Sequence, residues 1–134
     1  MVKSRHFGKP DPMADPVRVL VVDDQPIMRS AMRVLLDAAG EFEAVGEAAS
    51  GHEALSAVEQ LDPDLVLLDV RMPGMDGIEA ASRIQATHRR TVVVLMSSDP
   101  RADAEASAAA AFVPKERLKP AVLRELWARH APSH

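Results

Sequence analysis

At 134 residues, with a formal net charge of -4 and no cysteine, the chain is sized for one domain with its own core. It has no disulfide framework, thiolate metal site or cysteine nucleophile. No apolar run reaches membrane-spanning length, no stretch has the layout of a signal peptide, and no dense lysine and arginine cluster offers a nucleic-acid footprint, so a cytoplasmic protein without direct membrane or nucleic-acid contact is expected. Residues 1–15 lack hydrophobic periodicity and carry scattered Lys3, Arg5, Lys9, Pro10 and Pro12, which predicts a disordered tail. Within it, Met13-Ala14-Asp15 reads as a natural start.

From Val17 to Val22 the apolar run is that of a strand covered on both faces. Asp23 and Asp24 end it, Pro26 opens a helix, Met28, Ala31, Met32, Leu35 and Ala39 recur on one helical face, and Gly40 stops it. Strand two runs from Phe42 to about Ala48. Ser50 and Glu53 form a Ser-x-x-Glu capping box for a second helix, with Leu55, Val58 and Leu61 inward and Pro63 after its end. Leu65 to Leu68 then run straight into Asp69, and Pro73-Gly74-Met75-Asp76-Gly77 turns the chain. Asp76 and Glu79 repeat the capping pattern before a third helix with Ile78, Ala81 and Ile84 inward. Thr91 to Met96 is strand four, followed by Ser97. An alanine-rich helix is predicted around residues 103–110, a short strand near Ala111 to Val113, then Pro114 and Lys115. Leu118 staples a last helix over Pro120 to His130, with Val122, Leu123, Leu126 and Trp127 at core spacing.

Five alternating βα units with right-handed crossovers predict a parallel sheet covered by helices on both faces. Its carboxyl edge then collects Asp23 and Asp24 from strand one, Asp69 from strand three, Ser97 from strand four and Lys115 from strand five. Chemistry in open α/β sheets gathers at that edge. Three adjacent carboxylates repel one another unless a cation sits among them. An all-oxygen set suits Mg2+ better than zinc. A nucleophilic carboxylate, a divalent ion, a hydroxyl and a lysine together describe a site for a phosphoryl group. Each residue alone has a plainer reading: a helix cap for Asp23 and Asp24, a turn former for Asp69, a loop hydroxyl for Ser97, a solvated charge for Lys115, ordinary core for Phe112. Their joint placement at successive strand ends favours the site. No histidine is assigned a function.

The acidic pair, Asp69 within Asp-Val-Arg-Met-Pro-Gly-Met-Asp-Gly, Ser97, and Phe112-Val-Pro-Lys115 resemble the response-regulator receiver domains, the CheY-like class, over residues 16–131. The resemblance implies a flavodoxin-like five-stranded parallel sheet of order 2-1-3-4-5 with five helices on both faces. It also implies that Asp69 is a phosphoacceptor taking its phosphoryl group from a histidine kinase or phosphotransfer protein. Asp24, Asp69 and the backbone carbonyl of Arg71 would hold Mg2+, with Asp23 helping through water. Lys115 would pair with a phosphoryl oxygen, Ser97 would donate to another, and Phe112 would be the switch aromatic of a surface made by the fourth helix, fifth strand and fifth helix. A phosphorylation-dependent homodimer through that face is compatible with the resemblance without being required by it.

Two departures from the family stand out. The interval between Ser97 and Lys115 is short by about one helical turn, which predicts a shortened fourth helix. Lys115 is preceded by Pro114 and followed by Glu116, a pattern associated with receivers of the NarL/FixJ type. The first expectation is a phosphoacceptor that signals through a downstream protein and not an enzyme in its own right, since no DNA-binding output domain follows in these residues. The second is the receiver portion of a longer NarL-type transcription regulator. A haloacid-dehalogenase-type phosphatase would want an acid two residues after its nucleophile, where Asp69 is followed by Arg71. A receiver that never takes phosphate is disfavoured by the full set of site residues.

Overall fold

The computed structural model describes residues 15–98 and 109–132. Five strands, β1 (Val17–Val22), β2 (Phe42–Ala48), β3 (Leu65–Asp69), β4 (Val92–Ser97) and β5 (Ala111–Pro114), form one parallel sheet in the order β2-β1-β3-β4-β5. Four α-helices are described, α1 (Pro26–Ala39), α2 (Gly51–Leu61), α3 (Gly77–Thr87) and α4 (Pro120–His130), with a 3-10 turn over Lys115–Arg117. Here α4 is the helix expected fifth in the chain. The helix expected around residues 103–110 lies outside the described residues except for Ala109 and Ala110, which are not helical. The Ala110 amide already donates to the Val93 carbonyl beside β4 (2.9 Å). The tail expected over residues 1–15 likewise lies outside the description, apart from Asp15.

The central strands are apolar on both faces because both faces are covered. Leu20, Val22, Val66, Leu68, Val93 and Leu95 pack with Ala54 and Val58 of α2 and Ala80, Ala81 and Ile84 of α3. Val19, Val21, Leu67, Val94 and Met96 pack on the other side with Met32 and Leu36 of α1 and Leu123 of α4. Of the face predicted for α1, Met32 and Ala39 are buried and Met28 and Leu35 pack partly buried against the same core. Ala31 is exposed, and Leu36 is fully buried with Met32 and Ala39 in an i, i+4, i+7 row. With alanine among five candidate positions, periodicity leaves the centre of the stripe ambiguous by one residue step. Ile27 and Val34, outside the predicted face, are exposed at 76% and 68%.

The helix starts carry the predicted chemistry. Ser50 Oγ accepts from the Glu53 amide (3.1 Å), while Glu53 Oε1 accepts from the Ala49 amide (3.0 Å), and Asp76 Oδ1 accepts from the Glu79 amide (2.9 Å). Gln25, not an aspartate, occupies the N-cap of α1 and makes no side-chain cap bond, so Asp24 is left for another task. At the end of β3 the chain turns tightly onto α3. The Gly77 amide donates to the Val70 carbonyl (2.8 Å), and a Cβ at Gly77 would lie 2.1 Å from the Asp69 carbonyl oxygen and 2.8 Å from the Val70 Cα. Glycine is required there by close backbone approach. None of the described helices is long and apolar enough to cross a membrane.

Candidate functional site

Parallel register brings the polar strand ends to one edge. Val22 pairs with Leu68, Asp69 with Met96, and Ser97 with Pro114, so the residues just beyond or ending β1, β3, β4 and β5 meet. Ligating oxygens of Asp23, Asp24 and Asp69 all lie within 4.8 Å of one another. Asp23 is fully buried and Asp69 is 5% exposed, while Asp24 is the most open of the three. The Lys115 ammonium reaches back from the turn after β5, donating to Asp23 Oδ2 at 2.7 Å and lying 3.4 Å from Asp69 Oδ1.

Every polar atom of Asp23 has a partner. Its amide donates to the Ala48 carbonyl (3.1 Å), its carbonyl accepts from Arg29 Nη1 (2.7 Å), Oδ1 accepts from the Gln25 amide (2.9 Å) and Oδ2 accepts from Lys115. Asp69 is held less completely, with Lys115 on one side and a long 3.4 Å contact from the Arg71 amide to the same Oδ1. Burial, and then the neighbouring Asp23 charge, push the Asp69 carboxyl above the ordinary carboxylate range, against the opposing pull of Lys115 and the Arg71 amide.

The raised Asp69 carboxyl has a definite sign in stability. It binds its proton more readily in the folded state than in the unfolded chain, so stability falls as pH climbs from the unfolded pKa through the folded one. In chelator at neutral pH, Asp69→Asn is therefore expected to melt above the wild type. The difference should shrink on acidification into the ordinary carboxylate range, as thermal denaturation against pH would read.

Ser97 is 2% exposed at the last position of β4, beside Asp69's strand. Phe112 is half-buried on β5 opposite Leu95 and packs against the core shared with α2 and α3. The structure thus gathers the carboxylates of Asp23, Asp24 and Asp69, with the Lys115 ammonium on Asp23 and Asp69. It places Ser97 on the adjoining strand end and Phe112 on the strand that leads to Lys115. A shallow pocket lined by Gln25, Met28, Ser98, Lys115 and Glu116 opens beside the ammonium. A cavity of about 470 Å³ at the opposite edge, bounded by Asp62, Asp64, Arg89, Arg90 and Trp127, contains none of these groups.

Sequence reasoning missed Arg29, which ties the Asp23 carbonyl to Glu47 on β2 (Nε to Oε1, 3.0 Å). An arginine three residues into a helix carries no sequence signal that sets it apart from a solvated charge.

The acidic cluster fits a small divalent ion. Mg2+ takes oxygen ligands about 2.0–2.1 Å away, which puts two of them within roughly 4.2 Å of each other. The observed spread needs only small side-chain closure to reach that, and the raised Asp69 carboxyl marks a place where a further cation would be favourable.

Among solved structures, the chain superposes on the signal receiver domain of the NarL response regulator from Mycobacterium tuberculosis with a TM-score of 0.75 and 36% identity, covering 84% of this chain and 98% of that one. It also superposes on a chain of the CheX-CheY-BeF3-Mg2+ complex from Borrelia burgdorferi with a TM-score of 0.72 and 27% identity, covering 87% and 91%. A protein-glutamate methylesterase/protein-glutamine glutaminase from a Nocardioides species is 45% identical over 82 residues, 61% of this chain and 22% of the relative. The curated relatives are longer proteins, of which this chain spans between 22% and 38%. The response regulator receiver domain model matches residues 19–128, the span that carries β2 to β5, all of β1 but its first two residues, and every residue gathered at their carboxyl edge, and the chain belongs to that family.

Proposed function

We propose that Asp69 is the phosphoacceptor of this receiver. The observation that carries this is the Asp69 carboxylate itself, which ends a buried strand with Lys115 3.4 Å away and two further carboxylates alongside. One Asp69 oxygen attacks the phosphorus of a phosphohistidine on a kinase or phosphotransfer protein. The new O–P bond forms as the N–P bond breaks, and the leaving imidazole takes a proton. Asp69 needs no general base, since it reacts as the carboxylate.

Lys115 is placed to follow the charge. Its ammonium already spans Asp23 and Asp69 and can pair with a phosphoryl oxygen without leaving Asp23. Ser97 would donate its hydroxyl to a second phosphoryl oxygen, and Phe112 would respond by packing inward on β5. The divalent ion, held by Asp24, Asp69 and the Arg71 carbonyl with Asp23 behind them, would offset the repulsion between the carboxylates and the incoming group. Asp23 is clamped on all sides and therefore serves as a fixed anchor for Lys115, while the open Asp24 is left to take the ion.

The output is a change in protein contacts at β5, α4 and the neighbouring segment, read by a downstream partner. The longer curated relatives favour a second reading, in which these residues are the receiver portion of a NarL-type regulator. The gene's full reading frame distinguishes the two. For the phosphoacceptor itself, incubation with Mg2+ and acetyl phosphate is expected to add one phosphoryl group by intact mass to the wild type and none to Asp69→Asn. An unmodified wild type that also takes no beryllofluoride would sink the reading.

A further inference from the structure

We propose that Arg29 is a positioning residue for the divalent ion, acting through the Asp23–Asp24 peptide. The proposal rests on the metal-assisted phosphoacceptor reading and deepens it. The Arg29 side chain is only 18% exposed, and its guanidinium uses two edges at once. Nη1 donates to the Asp23 carbonyl at 2.7 Å, and Nε donates to Glu47 Oε1 at 3.0 Å. Glu47 is braced in turn by Arg33 through its other oxygen at 3.2 Å. The carbonyl that Arg29 grips belongs to the peptide linking the two acids. Fixing it fixes the plane from which Asp24 projects. Among the described residues nothing bonds to the Asp24 carboxylate, so its backbone is what aims it.

Neighbouring Ala48 holds the Asp23 amide, so β2 supports the metal-binding loop twice, once by its backbone and once through Glu47 and Arg29. A planar fork with separate donors suits this double grip, and a lysine ammonium matches only part of it. Partners that orient metal-binding groups are commonly worth one to two orders of magnitude in affinity.

Charge and geometry predict opposite results, which makes the role testable. Acting only through space, Arg29 would repel a cation, and its removal would tighten Mg2+ binding. Acting as a clamp, its removal loosens the loop and weakens binding. The comparison is a Mg2+ titration followed by the amide resonances of Asp24 and Asp69, in the wild type, Arg29→Ala, Arg29→Lys and Arg33→Ala. Arg33 shares Glu47 but makes no contact with Asp23, so it controls for the ion pair.

Arg29→Ala is expected to weaken Mg2+ binding by about tenfold, Arg29→Lys by less, and Arg33→Ala to leave it within about twofold. In chelator, before any ion is added, the Asp24 amide resonance should move in both Arg29 variants and stay in place in Arg33→Ala. If Arg29→Ala does not fold, Arg29→Lys against Arg33→Ala decides by the same two readouts. Unchanged or tighter Mg2+ binding in the Arg29 variants, or equal weakening in Arg33→Ala, overturns the clamp while leaving the phosphoacceptor reading intact. A wild type that binds no Mg2+ overturns that reading, and the ion-positioning role with it.

Discussion

Gly77→Ala is expected to cost roughly 3 kcal/mol of stability, lowering the melting temperature by about 10–15 °C, because the new methyl has nowhere to go. Its ideal position is 2.1 Å from the Asp69 carbonyl oxygen and within 3 Å of two further backbone atoms of Asp69 and Val70. Backbone cannot swing aside as a side-chain tip would. Relief requires either the end of β3 or the start of α3 to move, and the first of these carries Asp69. Loss of stability should therefore come with slower phosphoryl uptake by whatever fraction remains folded. Gly74→Ala provides the contrast: it meets no atom within 4 Å and its penalty is only that of a φ of 78°, which predicts about 1 kcal/mol. Thermal melts of the two variants would show the ordering. Equal melting temperatures would contradict the close-approach account of Gly77.

Lys115→Met should be comparably damaging in the absence of divalent ions. The ammonium is the only cation in contact with the fully buried Asp23 carboxylate and the nearly buried Asp69 carboxylate among the described residues. Removing one partner of a buried ion pair commonly costs about 3–5 kcal/mol, because the remaining charge is stranded. Asp69 can relieve part of that by taking a proton more readily still, and local water can relieve more, so roughly 2–3 kcal/mol is expected in chelator. Mg2+ should then restore more stability to Lys115→Met than it adds to the wild type, since it would supply the missing positive charge. Melting temperatures with chelator and with excess Mg2+ give the four values needed. A Mg2+ increment no larger in the variant would argue that the ion does not sit among these carboxylates.

The strands and the strand-end carboxylates are legible because each signal is local. Four apolar residues running into Asp69 mark a buried strand and its end without reference to anything distant, and the capping pairs at Ser50 and Asp76 work the same way. A parallel sheet then follows from alternation and crossover handedness, and its strand order from the family resemblance. What stays hidden depends on three-dimensional proximity. Lys115 is expected to serve the phosphoryl group, but its shortest contact is to Asp23, 92 positions away. Arg29 looks like any helix-surface cation until β2 brings Glu47 beside it. Gly77 reads as a turn glycine, whereas its necessity comes from the Asp69 carbonyl packed against it. The inward stripe of α1 keeps Met28, Met32, Leu35 and Ala39 and exchanges Ala31 for Leu36, because small residues blur a periodic signal.

Asp69, and no other acid of the cluster, is proposed to carry the phosphoryl group. Borohydride reduces an acyl phosphate to an alcohol, turning a phosphorylated aspartate into homoserine. Peptide mapping after treatment with Mg2+, acetyl phosphate and borohydride should find homoserine at position 69 alone, and at no position when Mg2+ is withheld. Homoserine at 23 or 24 instead, or none anywhere in a folded protein, would rule out Asp69 as the phosphoacceptor.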